Sequence, residues 1–389
     1  MKFLRFIFPL VLVFSGIPAF GNETKLFPCG DNATYSVIMP AGVAMNGQQC
    51  SGSLSIDSSV KIIDDSAFSA INCKDVCTRR DSTLNSVLIP DSVISIGAKA
   101  FEGTQITSIS IPNSVKNIGD FAFASSMLTS VVLPNALTRI NDGVFNGAPL
   151  KSVTIPSSVT SIGKFAFRLT LLETVIIPDL VTNIGWRAFE ETPLESAIIG
   201  KSVIEIAYGA FAQTRLKSIN IPDSVRLIDF DAFAQSKLSS VTFGKSVNRI
   251  GYGAFRGTSL SEISIPNSVS KLECNLFSGV LTLTTISLPD NLQSICDSAF
   301  ERNYLLAKIE YCGKLKNLPI APICPPERQS IIDAEKAAAE LKAKAEAEAK
   351  AKAEAESANK KTTITCVKGK LTKKVTAIKP KCPSGYKKK

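Results

Sequence analysis

The stretch SVTIPSSVTSIGKFAF, Ser152 to Phe167, decides the fold because it recurs. SISIPNSVKNIGDFAF (108–123) precedes it, and SINIPDSVRLIDFDAF (218–233) and SVTFGKSVNRIGYGAF (240–255) follow. Aligned on the last phenylalanine, Phe101, Phe123, Phe145, Phe167, Phe189, Phe211, Phe233, Phe255 and Phe277 lie 22 residues apart. Phe68 is an earlier copy, displaced by an 11-residue insertion that carries Cys73 and Cys77, and Phe300 is a later copy with one added residue. A fixed period of this size predicts a repeat solenoid in which each copy forms one coil.

The apolar positions predict how a coil is built. In the copy ending at Phe167, the inward residues are Leu150, Val153, Ile155, Val159, Ile162, Ala166 and Phe167. Alternation through Val153-Thr154-Ile155 marks a short strand with one buried face. Pro156 ends that strand because it has no N–H to donate. Gly163 is expected to permit the next bend. Stacking the coils predicts a single right-handed solenoid from about residue 53 to 318. Its strands, centred near Ile109, Val131, Val153, Val175, Ala197, Ile219, Val241 and Ile263, are expected to lie in one parallel β-sheet. One coil has no second layer to cover its apolar face, so the coils fold only together.

The repeated pattern L-x-x-[IV]-x-I-P-x-S-V-x-x-I-G-x-x-A-F resembles the BspA-type leucine-rich repeat of bacterial surface proteins, over about residues 53–318. The copies are one residue shorter than the usual unit of that family and lack its frequent cysteine after the phenylalanine. The resemblance implies a curved leucine-rich-repeat solenoid, exported, that binds proteins or host and matrix surfaces. The family has no catalytic motif to carry over.

The flanks read differently. MKFLRFIFPLVLVFSGIPAFG (1–21) has a basic start, Lys2 and Arg5, an apolar run and small residues at its end, the pattern of a cleaved signal peptide. No later segment is apolar and long enough to span a bilayer, so no transmembrane segment is expected in the mature chain. Residues 22–52 read as an N-terminal cap, and the pattern decays through 308–327 into a C-terminal cap that closes the solenoid of 53–327. Residues 328–358 are Ala, Lys and Glu in helix-forming proportion, a single helix acting as a semi-rigid spacer. Residues 359–389 form a basic tail, read as a small hairpin around ITCV and KKVTAI. The tail resembles short lysine-rich C-terminal modules of secreted actinobacterial-type proteins.

Charge is unevenly placed. The chain carries a formal +10, but from Ser357 onward there are 11 lysines and no acid. Without these and the two leader charges, the remainder stands at −3. Lys368, Lys370, Lys373, Lys374, Lys379, Lys381, Lys387, Lys388 and Lys389 are therefore the candidate contacts to anionic envelope polymers. Only Tyr386 interleaves with them, and an exported chain rarely meets nucleic acid, so none is expected as a partner. The alternative is a tail that only solubilises.

Ten cysteines and no histidine fit an exported, disulfide-bonded chain. Coil spacing brings Cys274 and Cys296 onto adjacent coils, and the others are expected to pair locally: Cys29–Cys50, Cys73–Cys77, Cys312–Cys324 and Cys366–Cys382. With no histidine, imidazole catalysis and His-zinc sites are unavailable to the chain, and no metal or cofactor is expected.

Two further surfaces are candidates. Trp186, Tyr208, Phe230 and Tyr252 occupy one repeat position in four successive coils. They form either a ligand-binding row for a sugar or a partner's side chain, or a set of rings stacked on one another to shield the core edge. Ser108, Ser130, Ser152, Ser196, Ser218 and Ser240, with Thr174, form a hydroxyl stripe on the strands. The expected function is an exported cell-surface or secreted binding or adhesion scaffold for an extracellular protein or glycan, with the tail holding it at the envelope. A self-associating structural component of the envelope or matrix is the alternative. A glycan hydrolase using Glu190, Glu191 or Asp231 is the remote one, and the chain is read as not an enzyme.

Overall fold

The computed structural model describes residues 23–30, 33–72, 78–79, 84–315, 318–358, 362–377 and 379–389. The leader expected at 1–21, and Cys73 and Cys77, lie outside the described residues. The chain divides into two compact units, one ending at Ile323 and the other comprising Cys324–Lys389.

In the first unit each coil contains two short strand segments and a run of tight turns around its phenylalanine. Successive coils are in register at the sequence period, as in Ile109 with Val131 and Ile162 with Ile184. All the repeat strands pair in parallel. The strands at the predicted positions do not, however, form one sheet. They fall into separate groups: Ser108–Ser110 with Ser130–Val132, Thr174–Ile176 with Ser196–Ile198, Ser218–Asn220 with Ser240–Thr242, and Glu262–Ser264 with Thr285–Ser287 and Lys308–Glu310. Around Val153 only an isolated bridge, Ser130 to Ser152, remains.

The inward residue explains the interruption. Ile109, Val175, Ile219 and Ile263 are buried, whereas Val131, Ala197 and Val241, which end the first three groups, are only half-buried. These strands are three residues long, so each pairing has few ladder bonds and is lost where the inner side chain sits shallower.

Continuity comes from a second line of strands that the sequence reading did not place. Arg139–Ile140, Ser161–Ile162, Asn183–Ile184, Glu205–Ile206, Leu227–Ile228 and Arg249–Ile250 form an unbroken six-stranded parallel ladder. A third line of backbone bonds runs through the turns. The N–H of Phe145 donates to the carbonyl of Ala166, that of Phe167 to Ala188, and that of Phe189 to Ala210, each at 2.9 Å.

The phenylalanines themselves form a column. From Phe68 to Phe300 successive ring centroids lie 5.3–5.9 Å apart with planes within 18°. This is offset stacking at the spacing the coils impose. Around the column, the hydroxyls of Thr104, Thr170, Thr192, Thr214 and Thr258 donate at 2.7–2.9 Å to the carbonyl of the phenylalanine three residues earlier. In P-x-S-V, the hydroxyls of Ser92, Ser158 and Ser224 donate at 2.7 Å to backbone carbonyls of the preceding coil, at Val60, Leu137 and Val203. Thr104, Thr170 and Thr258 add a second, shorter bond to turn carbonyls that also accept a backbone N–H, and the serines tie one coil to the next.

Gly163 does not make the bend assigned to it. A Cβ there would stand 2.6 Å from backbone atoms of Asn141 and Asp142, so the glycine is required by the close approach of the coil before it. The chain reverses instead through left-handed residues at two places per coil. Phe165 (φ 57°) and Leu169 (φ 59°) do so in this copy. Gly143, Gly209 and Gly253 occupy the place of Phe165 in other coils.

Both ends of the column are closed. Glu23–Pro28, Thr34–Met39 and Val43–Met45 form an antiparallel meander, and its last strand pairs in parallel with Ile62–Ile63. Tyr35 meets Phe68 edge-on at 5.7 Å and stacks on Phe27 at 5.4 Å. Cys29–Cys50 ties this cap. Cys274–Cys296 joins adjacent coils near the other end, as their spacing predicts. Cys312 and Cys324 are both disulfide-bonded, and Tyr311 lies buried beside the bridge of Glu310 to Ile323.

In the second unit a helix spans Pro326–Ala358, 33 residues or about 50 Å at 1.5 Å per residue. The expected tail hairpin forms, Thr362–Lys368 with Leu371–Ala377, and a third strand extends it into an antiparallel sheet. Lys387–Lys388 pairs with Thr362–Lys368 on the side opposite Leu371–Ala377. Cys366–Cys382 binds it, and Cys366 is fully buried.

Two substitutions measure these features by chemical denaturation. Phe189→Ala removes a fully buried ring from the middle of the column, and a loss of about 3–5 kcal/mol is expected. A loss below about 1 kcal/mol would remove the column from its role. Leu169→Gly relieves a left-handed leucine that is 42% exposed, so a gain of about 0.5–1 kcal/mol is expected. A destabilised variant would show that the leucine side chain holds the turn by packing.

Candidate functional site

The outward face of the strands carries two parallel rows. The first strand position gives the hydroxyl stripe of Ser108, Ser130, Ser196, Ser218 and Ser240 with Thr174, all exposed, and Ser152 lies exposed in the same row. Two residues on, the same face carries Leu88 (67% exposed), Val132 (63%), Ile176 (65%) and Ile198 (59%). Ile176 and Ile198 are direct partners on paired strands. Sequence reasoning registered the serines and missed this apolar row. The signal was present in SVVLP (130–134) and TVIIP (174–178), where an apolar residue stands at a position the two-residue alternation turns outward. Where the strand groups part between Thr242 and Ser264, two adjoining depressions of about 510 and 550 Å³ open. Val241 and Ser264 line both.

The aromatic row lies in the turns. Trp186 is 51% exposed, Phe230 44% and Tyr252 41%. The expected ring-on-ring stack does not form along it. Among the described residues only Phe230 and Tyr252 touch within the row, edge to face at 6.4 Å. Lys164 Nζ sits 4.7 Å from the centre of the Trp186 ring, and the Arg187 guanidinium lies 5.0 Å from that of Tyr208. Arg187 also donates to the Tyr208 hydroxyl at 2.8 Å, and that bond holds the guanidinium above its ordinary pKa. Cations, not neighbouring rings, thus cover Trp186 and Tyr208. Coil by coil the row begins Asp120, Asp142, Lys164. The first two carboxylates accept the backbone N–H of the next coil, at 3.1 and 2.8 Å.

The carboxylates named as a possible acid–base pair are engaged otherwise. Arg168 pairs with both Glu190 and Glu191, Arg187 approaches Glu190 at 3.4 Å, and Arg256 pairs with Asp231 at 3.3 Å. Glu190 is 6% exposed. The cavity between these coils has a volume of about 130 Å³ and is lined by Arg187, Glu190, Tyr208, Asp231 and Arg256 among others. Its charged walls are mutually neutralised, and the carboxylates face arginines rather than each other across open space, as glycoside hydrolysis requires.

All nine candidate lysines of the tail are exposed. Lys368 ends the first tail strand, Lys373 and Lys374 lie on the second, and Lys387 and Lys388 form the third. Lys370 is in the connecting turn, Lys379 and Lys381 lie between strands, and Lys389 is terminal. Among the described residues no group of ligating side chains is placed to hold a metal ion, and no helix is long and apolar enough to cross a membrane.

Trp186→Ala and Tyr208→Ala separate support from exposure. Tyr208 makes a directional bond as well as a cation–ring contact, so its loss is expected to cost about 1–2 kcal/mol. Trp186→Ala is expected to cost less than about 1 kcal/mol. Equal large losses in thermal denaturation would return the whole row to a structural role.

Known proteins share this architecture. The BspA type leucine-rich-repeat region matches in six copies, over residues 47–148, 77–195 and 204–320. A leucine-rich repeat protein from Bacteroides ovatus superposes with a TM-score of 0.55 at 25% identity, covering 76% of this chain and 72% of its own. A leucine rich cell surface protein from Faecalibacterium prausnitzii is 24% identical over 75% of this chain and 96% of its own, with a TM-score of 0.42. The pneumococcal vaccine antigen PcpA is 18% identical over 80% and 91%, with a TM-score of 0.49. No curated protein matches the chain. The repeat region matches over well more than half the sequence, and the chain belongs to the BspA-type leucine-rich-repeat family.

Proposed function

We propose that this chain is an exported cell-surface or secreted binding scaffold whose strand face engages an extracellular protein or glycan, while the lysine-rich tail holds it to anionic polymers of the envelope. The observation that carries the reading is the paired outward rows. Apolar side chains more than half exposed lie beside an uncharged hydroxyl stripe, on coils paired in register. Exposed apolar groups in register are a burden on a free surface and suit a contact face. Disulfides at Cys29–Cys50, Cys274–Cys296 and Cys366–Cys382 suit an oxidising compartment, in keeping with the signal-peptide pattern of residues 1–21. The aromatic row offers a second contact, with Trp186, Phe230 and Tyr252 accessible to a ring or an aliphatic chain.

Binding to intact cells, to extracellular matrix and to isolated envelopes tests both parts. Truncation after Ala358 is expected to release the protein from envelopes and leave matrix or cell binding in place, and salt is expected to elute the full chain in a graded manner. Ile176→Ser with Ile198→Ser is expected to weaken cell or matrix binding at least tenfold with little change in stability. Envelope retention of the truncated chain would remove the tether from the tail. Unchanged binding by the double variant would move the contact off the strand face. Concentration-dependent association that the same variant abolishes would favour a self-assembling component.

A further inference from the structure

The tail lysines are sorted by the sheet onto two different faces. In the antiparallel register, Cys366 opposes Lys373 on one side and Lys388 on the other, and Ile364 opposes Val375. Residues directly opposite share a face, so Lys373 and Lys388 stand with the disulfide and the apolar residues. The other face has Thr363 opposite Thr376, Thr365 opposite Lys374, and Val367 between Thr372 and Lys387. Thr363 and Thr376 join their hydroxyls. Lys389 donates its N–H to the Thr365 carbonyl at 2.9 Å, and alternation puts its side chain with that of Lys387.

The second face is therefore a trough running along the strands. Its floor is the central strand, with Thr363 and Thr365 at its middle. Lys374 flanks it on one side and Lys387 and Lys389 on the other, two strand spacings or about 9.6 Å apart. The flanking residues are exposed. Among the described residues none that the register places on this face is aromatic, so the face lacks the stacking platform that single-stranded nucleic acid and sugar rings use. It also carries no large apolar side chain beyond half-buried Val367, so it has no wedge for a lipid interface. Hydroxyl groups between Lys374 on one side and Lys387 and Lys389 on the other match acceptor oxygens along a linear chain, and lysine binds phosphate as a point charge.

We infer that this threonine-floored face of the terminal sheet, flanked by Lys374, Lys387 and Lys389, is the docking surface of the tail, and that it takes a linear phosphate-bearing polyanion without bases. The inference rests on the tether reading of the tail and narrows it from nine lysines to three. It makes binding a property of one face rather than of net charge.

Two double variants of the full chain carry the same loss of charge on opposite faces: Lys374→Gln with Lys387→Gln, and Lys373→Gln with Lys388→Gln. Their affinity for long-chain inorganic polyphosphate is measured at two salt concentrations, alongside the unaltered chain and the chain truncated after Ala358. Peptide mapping of the non-reduced proteins checks that Cys366–Cys382 persists in each. The first pair is expected to weaken binding at least tenfold and the second less than threefold. Equal weakening by both pairs would overturn the face assignment and leave the tail binding by charge alone. Full binding by the truncated chain would instead overturn the tether reading. Poly-glutamate, single-stranded DNA and phosphatidylglycerol vesicles serve as competing probes. Polyphosphate is expected to bind at least tenfold tighter than each, and preference for any one of them would overturn the stated partner class.

Discussion

The spacing between stacked phenylalanines is the constraint on which the solenoid depends. A ring from each coil meets the rings before and after it at 5.3–5.9 Å, so every coil must return its phenylalanine to the same axis after one period. The chain between the rings has little freedom left. Short strands, prolines that stop them and left-handed turns all serve that return. The insertion before Phe101 leaves the Phe68–Phe101 contact at 5.4 Å. Ile71–Asn72 and Thr78–Arg79 pair at its base.

Much of this was legible in the sequence because the period is a property of residue type at fixed spacing. Phe123, Ile118 and Val115 repeat their chemistry, and repeated chemistry in a folded chain means repeated burial. The single-sheet expectation failed because strand pairing depends on how deep one inner side chain sits, and Ala197 and Val131 read as equivalent to Ile219 and Ile109 in any apolar pattern. Gly163 was misassigned for a related reason. A glycine needed for a close approach and one needed for a turn are the same letter, and the turn here falls on Phe165 and Leu169, which no turn preference suggests. The third tail strand was hidden because Lys387 and Lys388 have poor strand preference and are held by neighbours and the disulfide.

The candidate surfaces were legible in part. The serine stripe and the aromatic row are visible as columns in the aligned repeats. The apolar row of Leu88, Val132, Ile176 and Ile198 is interrupted by Ser110 and Thr154, so it emerges only when the coils are stacked. The aromatic row shows the opposite difficulty. Its members align perfectly, yet Lys164 and Arg187 decide which rings are covered, and both lie at positions that look like ordinary surface charge. Arg168, Glu190 and Arg187 bind neighbouring coils through side chains in the same region. The edge of the solenoid there is stitched by ion pairs, while the strand face carries hydroxyl, amide and apolar side chains from Ser108 to Thr242 and gains charge only at Glu262, Lys308 and Glu310.

The bridge between Cys274 and Cys296 has a mechanical consequence. Solenoids whose coils contact only their neighbours give way from an end, one coil at a time. Tension applied to the C terminus would peel the last coils first, where the repeat loses its regularity. The bridge spans 22 residues, a contour of about 70 Å at 3.3 Å per residue, and removes that length from any extension while the sulfurs remain joined. Cys29–Cys50 does the same over 21 residues at the other end. Peeling from the tail therefore yields no length from the chain between Cys274 and Cys296, and each release there is shortened while the bond is intact.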